Sequence, residues 1–204
     1  MSPPISTPFD KPRAPHRQLG QILVDGALAW AIGGLLAAVA GVIVMQTGLF
    51  DVSATTPHNP IVAWVLHNTM IHSVQARASS ESLPRAFSPA QTHHGLELYQ
   101  QHCAECHGGP GIPRATWTVG LTPTPPFLLD AARNWSPQEL DRIVSEGVKM
   151  SAMPGWSTSL SRADIQAIVA ALEAMPDETE QSYCEAISPG QARLDIGCSS
   201  AVAR

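Results

Sequence analysis

The run Gly26–Phe50, GALAWAIGGLLAAVAGVIVMQTGLF, has no charged residue in 25 positions. As a helix it is about 37 Å long at 1.5 Å per residue, enough to cross a hydrocarbon core of about 30 Å with some tilt. Lys11, Arg13 and Arg17 precede it, and the next cationic side chain is Arg77. That bias predicts a cytoplasmic N-terminus, with everything after residue 50 outside the cytoplasm. Asp25 is expected at the N-terminal edge of the helix, where the dipole favours an anion. The competing reading is a signal peptide cleaved after Val52-Ser53-Ala54. Its apolar region would ordinarily be only about 7–15 residues, so an uncleaved single-pass anchor in the inner (cytoplasmic) membrane is the expectation.

The remaining chain reads as short helices joined by long loops. Asn59 and Pro60 suit the cap and first position of a juxtamembrane helix. Two placements stay open for it, at the outer membrane surface or packed on its own domain. A Ser- and Pro-rich linker follows at 79–91. Ser88-Pro89-Ala90-Gln91 and Ser136-Pro137-Gln138-Glu139 have the form of capping boxes with Pro at the first helical position. Ser161 caps a third helix with Ile165, Ile168, Val169 and Leu172 on one face, and Pro176 stops it. The predicted organisation is a tail at 1–25, a membrane helix at 26–50, a juxtamembrane helix and linker at 51–90, a helical domain at 91–176 and an extension at 177–204.

Five of the chain's 18 prolines lie in residues 108–126, which excludes a long regular element there. A domain of about 85 residues with this much loop buries little apolar surface against itself. It needs something at its centre.

Cys103-Ala-Glu-Cys106-His107 supplies the candidate. The pattern is that of c-type haem attachment: two thiols at a spacing that suits the two vinyl groups, then an imidazole placed under the iron. A thioredoxin-like redox pair would want a βαβ context, and a structural zinc site a second ligand pair at compact spacing; neither is present. On the far side, Met150 and Met153 are the candidate soft ligands. Met153 is favoured because it precedes Pro154, whose fixed φ and missing N–H keep the backbone extended.

Taken with GLELYQQHCAECHGGPG, GLTPTPPFLL, WSPQELDRIVSEGVKMSAMPGW and LSRADIQAIVAALEAMP, residues 91–176 resemble a monohaem class I cytochrome c. The resemblance implies an all-α fold around one covalent haem c, with His107 and Met153 as axial ligands. It implies that Gly95 and Tyr99 face Ile168, Val169 and Leu172 where the first and last helices cross. It also implies that the Pro126 carbonyl orients the His107 ring and that Leu128 lies against the haem. Arg114, Trp117 and Arg133 are candidate propionate partners.

Iron filled on both sides has no open site for substrate, so the expected function is one-electron transfer rather than catalysis. The carrier would stand free between respiratory complexes or serve as the haem subunit of a membrane oxidoreductase. The rivals are a peroxidase or gas sensor working through a labile Met ligand, and a zinc-stabilised binding module. Residues 79–204 hold 8 Lys and Arg against 14 Asp and Glu, which excludes nucleic acid and favours redox partners with basic docking patches. In an exported chain, Cys184 and Cys198 are expected to form a disulfide.

Overall fold

The computed structural model describes residues 15–78, 83–84, 86–187 and 198. Residues 1–14 of the expected tail, 79–82 and 85 of the linker, and most of the extension beyond Ile187 lie outside that set. Residues Met1–Val52 and Ser53–Arg204 form two units. Among the described residues the only regular elements are helical, with one isolated bridge between Gly109 and Ile112.

Among the described residues the first unit holds one helix, α1 (Pro15–Thr47), whose segment Gly20–Thr47 is long and apolar enough to cross a membrane. It begins earlier than the uncharged run and ends before Phe50, at Gly48, whose φ of 67° is the left-handed conformation that closes helices. Asp25 therefore lies inside the helix rather than at its N-terminal edge, and its dipole partner is lost.

The second unit opens with α2 (Pro60–Arg77), capped by Asn59 Oδ1, which accepts from the Ile61 N–H at 2.9 Å. It packs against α6 (Pro137–Glu146) and buries Val74. Of the two placements left open, the structure shows the packed one, with Ile61, Trp64 and Val65 exposed on the other side.

Three helices form the core: α3 (Pro89–His102), α6 and α7 (Arg162–Ala174). Each starts in a reciprocal capping box, Ser88 with Gln91, Ser136 with Glu139 and Ser161 with Asp164, so two orphan N–H donors are satisfied at every start. Gly147 ends α6 at φ 69°, and α7 runs into a 3₁₀ turn, Met175–Asp177. Two single-turn helices, α4 (Ala104–His107) and α5 (Ala131–Asn134), interrupt the loops, and α8 (Glu180–Ile187) follows α7.

The main contact is the crossing of α3 and α7. Ile165, Ile168, Val169 and Leu172 are buried as expected, as are Tyr99, Leu96, Leu140 and Val144. The crossing point differs from expectation by about one residue. A Cβ on Gly95 would run into the Ala167 carbonyl, with its carbon at 2.5 Å, and would meet Ala171 Cβ at 3.1 Å. The close face of α7 is the small-residue pair Ala167 and Ala171, because only small side chains let two helix backbones approach this near.

Candidate functional site

The Cys103 N–H donates to the Tyr99 carbonyl at 2.8 Å, so the first cysteine closes α3. The next turn, α4, carries Glu105, Cys106 and His107. Gly108 stops it at φ 68°, where a Cβ would sit 2.8 Å from Phe127 Cε1 and 2.9 Å from the Ile112 carbonyl. Only glycine fits that bend. Gly109 and Ile112 then exchange backbone hydrogen bonds of 2.9 and 3.0 Å, and the Ala115 N–H donates to the Glu105 carbonyl at 2.9 Å, folding the chain back over the motif.

Cys103 is buried and Cys106 half-buried, and neither is in a disulfide. Burial, with the neighbouring Cys106 adding, pushes the Cys103 thiol up to about 12; burial and then Glu105 raise Cys106. His107 Nδ1 lies 2.7 Å from the Pro126 carbonyl oxygen. A carbonyl only accepts, so Nδ1 carries the proton and Nε2 keeps its lone pair. Burial holds the imidazole below its ordinary value, against the opposing Pro126 bond and with Arg114 assisting, which keeps it neutral and able to ligate.

The second candidate ligand lies in the turn after α6. The Val148 N–H donates to the Met153 carbonyl at 3.1 Å, and the Met153 N–H donates to Ser151 Oγ, also at 3.1 Å. A Cβ on Gly147 would fall 2.5 Å from the Pro154 carbonyl carbon and 2.6 Å from the Met153 oxygen. The Met153-Pro154 backbone is thus pressed onto the end of α6. Met153 is half-buried, whereas Met150 sits at the tip of the turn at φ 61° with 72% of its surface exposed.

Leu128 is half-buried against the core. Arg114 donates to the Pro125 carbonyl and lies 4.5 Å above the Phe127 ring centroid, bracing the strip that carries Pro126. The Trp117 indole N–H donates to Glu105 Oε1 at 3.3 Å, and Arg133 pairs with Asp130 at 2.9 Å. The donor groups proposed for propionates are engaged, in this structure, with neighbouring protein groups.

Two further features had no sequence signal strong enough to find them. Trp156 stacks tilted against His102 at 5.1 Å, and its Nε1 is buried with no hydrogen-bond partner among the described residues. Tyr183 of α8 is fully buried against the loop behind the motif. The expected disulfide is present, with Cys184 of α8 bonded to Cys198. No group of three or more His, Cys, Asp or Glu side chains suited to a metal ion occurs among the described residues.

The residues fit a covalently held haem. Two uncombined thiols and an imidazole with a free lone pair share one turn, and a thioether-bearing loop is available. Phe127, in contact range of Gly108, and Trp117, bonded to Glu105, leave about half of their apolar surface uncovered beside the motif. Residues 90–170 match the family model described as "Cytochrome C oxidase, cbb3-type, subunit III". No curated protein is significantly similar to the chain.

Proposed function

We propose, from the premise that residues 90–170 form a class I cytochrome c domain on a membrane-anchored chain, a one-electron carrier on the outer face of the inner membrane. Cys103 and Cys106 would hold one haem c through thioethers, and His107 and Met153 would ligate its iron. When bound, the haem supplies a reversible Fe(III)/Fe(II) couple, and the thioether ligand favours the reduced state. The chain's own residues fix the ligands. Pro126 orients the imidazole, Arg114 and Phe127 brace the strip that carries Pro126, and Gly147 and Ser151 shape the Met153 turn.

The observation that carries this reading is the 2.7 Å bond from His107 Nδ1 to the Pro126 carbonyl, next to two free thiols. It selects the tautomer a proximal ligand needs. Because the matched family is described as an oxidase subunit, the reading extends to a haem subunit of a membrane oxidoreductase, accepting electrons from one redox protein and passing them on. The acidic exported part, with 8 Lys and Arg against 14 Asp and Glu over residues 79–204, suits partners with basic docking patches.

The test is expression in a host that forms haem thioethers, followed by a pyridine haemochrome spectrum and a ferric absorption spectrum. A c-type haemochrome with the far-red band of methionine-ligated ferric haem is expected. A colourless folded protein would sink the proposal. A haem protein lacking the far-red band at neutral pH would replace it with a peroxidase or gas sensor. Isolation from membranes in mild detergent then distinguishes a free carrier from a complex subunit.

A further inference from the structure

The C-terminal segment beyond the matched family region packs on the back of the haem-attachment motif. The Tyr99 hydroxyl donates to the Gly108 carbonyl at 2.7 Å, one residue after His107. Tyr183 of α8 meets Tyr99 edge to face, with ring centroids 6.4 Å apart and planes at 83°. The Tyr183 hydroxyl reaches Gln100 Oε1 at 3.0 Å, so both ends of its ring are fixed against α3. Both tyrosines are fully buried.

The loop side matches this wall. A Cβ on Gly109 would lie 3.1 to 3.3 Å from Tyr183 Cε1, Cζ and hydroxyl. A Cβ on Gly111, which sits at φ +70°, would run into the Glu180 side chain. The Gly109–Ile112 turn is therefore seated on α8, and the two glycines let its backbone come this close to the Tyr183 and Glu180 side chains. Cys184, the residue after Tyr183, is bonded to Cys198, which ties α8 to the chain that follows it.

We propose that α8 is a clamp on the haem-attachment loop and that Tyr183 is a positioning residue acting on His107 through Tyr99 and the Gly108 carbonyl. The proposal rests on the reading that Cys103, Cys106 and His107 hold haem. Its physical content is that a loop held on one side keeps His107 and the two cysteines in register and keeps water from the back of the motif. Lower solvent access holds the potential up.

The experiment uses the full-length holoprotein with three substitutions, Tyr183→Phe, Tyr183→Leu and Gly109→Ala. It records the pyridine haemochrome, the ferric far-red band and the midpoint potential. Tyr183→Phe keeps the ring and is expected to stay close to the parent potential. Tyr183→Leu removes the edge contact, and Gly109→Ala pushes against the same ring from the loop side. Both are expected to lower the midpoint while the haemochrome stays c-type. Should Tyr183→Leu fail to mature, Gly109→Ala reads the same contact. A parent-like midpoint in the matured loop or ring variant overturns the clamp. So does a Tyr183→Phe midpoint lowered as far as that of Tyr183→Leu, which would make the hydroxyl rather than the ring the active part. A parent protein with no thioether-bound haem is a different failure, that of the proposed function, and the haemochrome identifies it.

Discussion

His94 Nε2 of α3 lies 3.0 Å from Asp164 Oδ1, which caps α7, so the crossing helices are joined at one side of their contact by a polar bridge. A carboxylate only accepts, so the imidazole donates. That bond is the leading cause holding the Asp164 carboxyl below its ordinary value, with Ser161 second. A carboxylate depressed on folding contributes stability above its unfolded pKa of about 3.9. That stability is lost as pH falls through the lower folded value. His94→Ala is therefore expected to be slightly less stable than the parent near neutral pH, with the gap closing as pH falls through the folded value of Asp164, below which the carboxyl is protonated in both proteins. Denaturant melts of the holoprotein at a series of pH values measure this. A gap of constant size down to the lowest pH would show that the carboxylate is not the partner that matters.

Gly95→Ala tests the neighbouring residue of α3. The added methyl would meet the Ala167 carbonyl, which is backbone and cannot rotate away, and then Ala171. The helices must separate, so the cost is expected at or above the upper end of the roughly 1–3 kcal/mol usual for overpacking. The check is the denaturant midpoint of the variant holoprotein at neutral pH. An unfolding free energy within about 0.5 kcal/mol of the parent would mean that the crossing is looser than the structure has it.

The elements that were legible in the sequence are those set by chemistry within four or five residues. Ser88 with Gln91, Ser136 with Glu139 and Ser161 with Asp164 announce helix starts because cap and partner are both local. The two cysteines and His107 fall on one turn for the same reason. The less legible parts depend on distant packing. α2 is apolar on more than one side, so its pattern did not say whether Val74 or Ile61 faces the domain. The rotation of α7 at the crossing differs by about a residue from the pattern of its large apolar side chains, because Ala167 and Ala171 carry almost no hydropathic signal beside Ile168 and Leu172. The donors on Arg114, Trp117 and Arg133 are long and flexible, and their partners (Pro125, Glu105 and Asp130) are set by how the loop folds. Nothing in the pattern around Tyr183 indicated that it would be buried.

The two methionines of the loop are separable by substitution. Met150 is largely exposed at the tip of the turn, while Met153 is half-buried on a backbone pressed against Gly147. Met153→Ala is expected to abolish the far-red band of the ferric protein and to lower the midpoint potential, because the soft ligand that favours reduced iron is gone. Met150→Ala is expected to keep both close to the parent. Absorption spectra and redox titration of the two variants decide between them, and the reverse pattern would transfer the ligand role to Met150.

The disulfide between Cys184 and Cys198 closes a loop at a sequence separation of 14. In the chain-entropy account, a cross-link of that span stabilises the folded state by about 3 kcal/mol. For a unit of this size (Ser53–Arg204) that corresponds to a fall of about 6–12 °C in Tm when the bond is removed. Cys184→Ser with Cys198→Ser is therefore expected to melt well below the parent in the absence of reductant. The parent in reductant should melt near the double variant, because the same link has been opened. Thiol titration provides the independent control: the oxidised holoprotein should show no reactive thiol under denaturing conditions, and the reduced one should show two. Four thiols after reduction would mean that Cys103 and Cys106 carry no thioether bonds. Two in the oxidised protein, together with an unchanged Tm on adding reductant, would mean that Cys184 and Cys198 are not joined in solution.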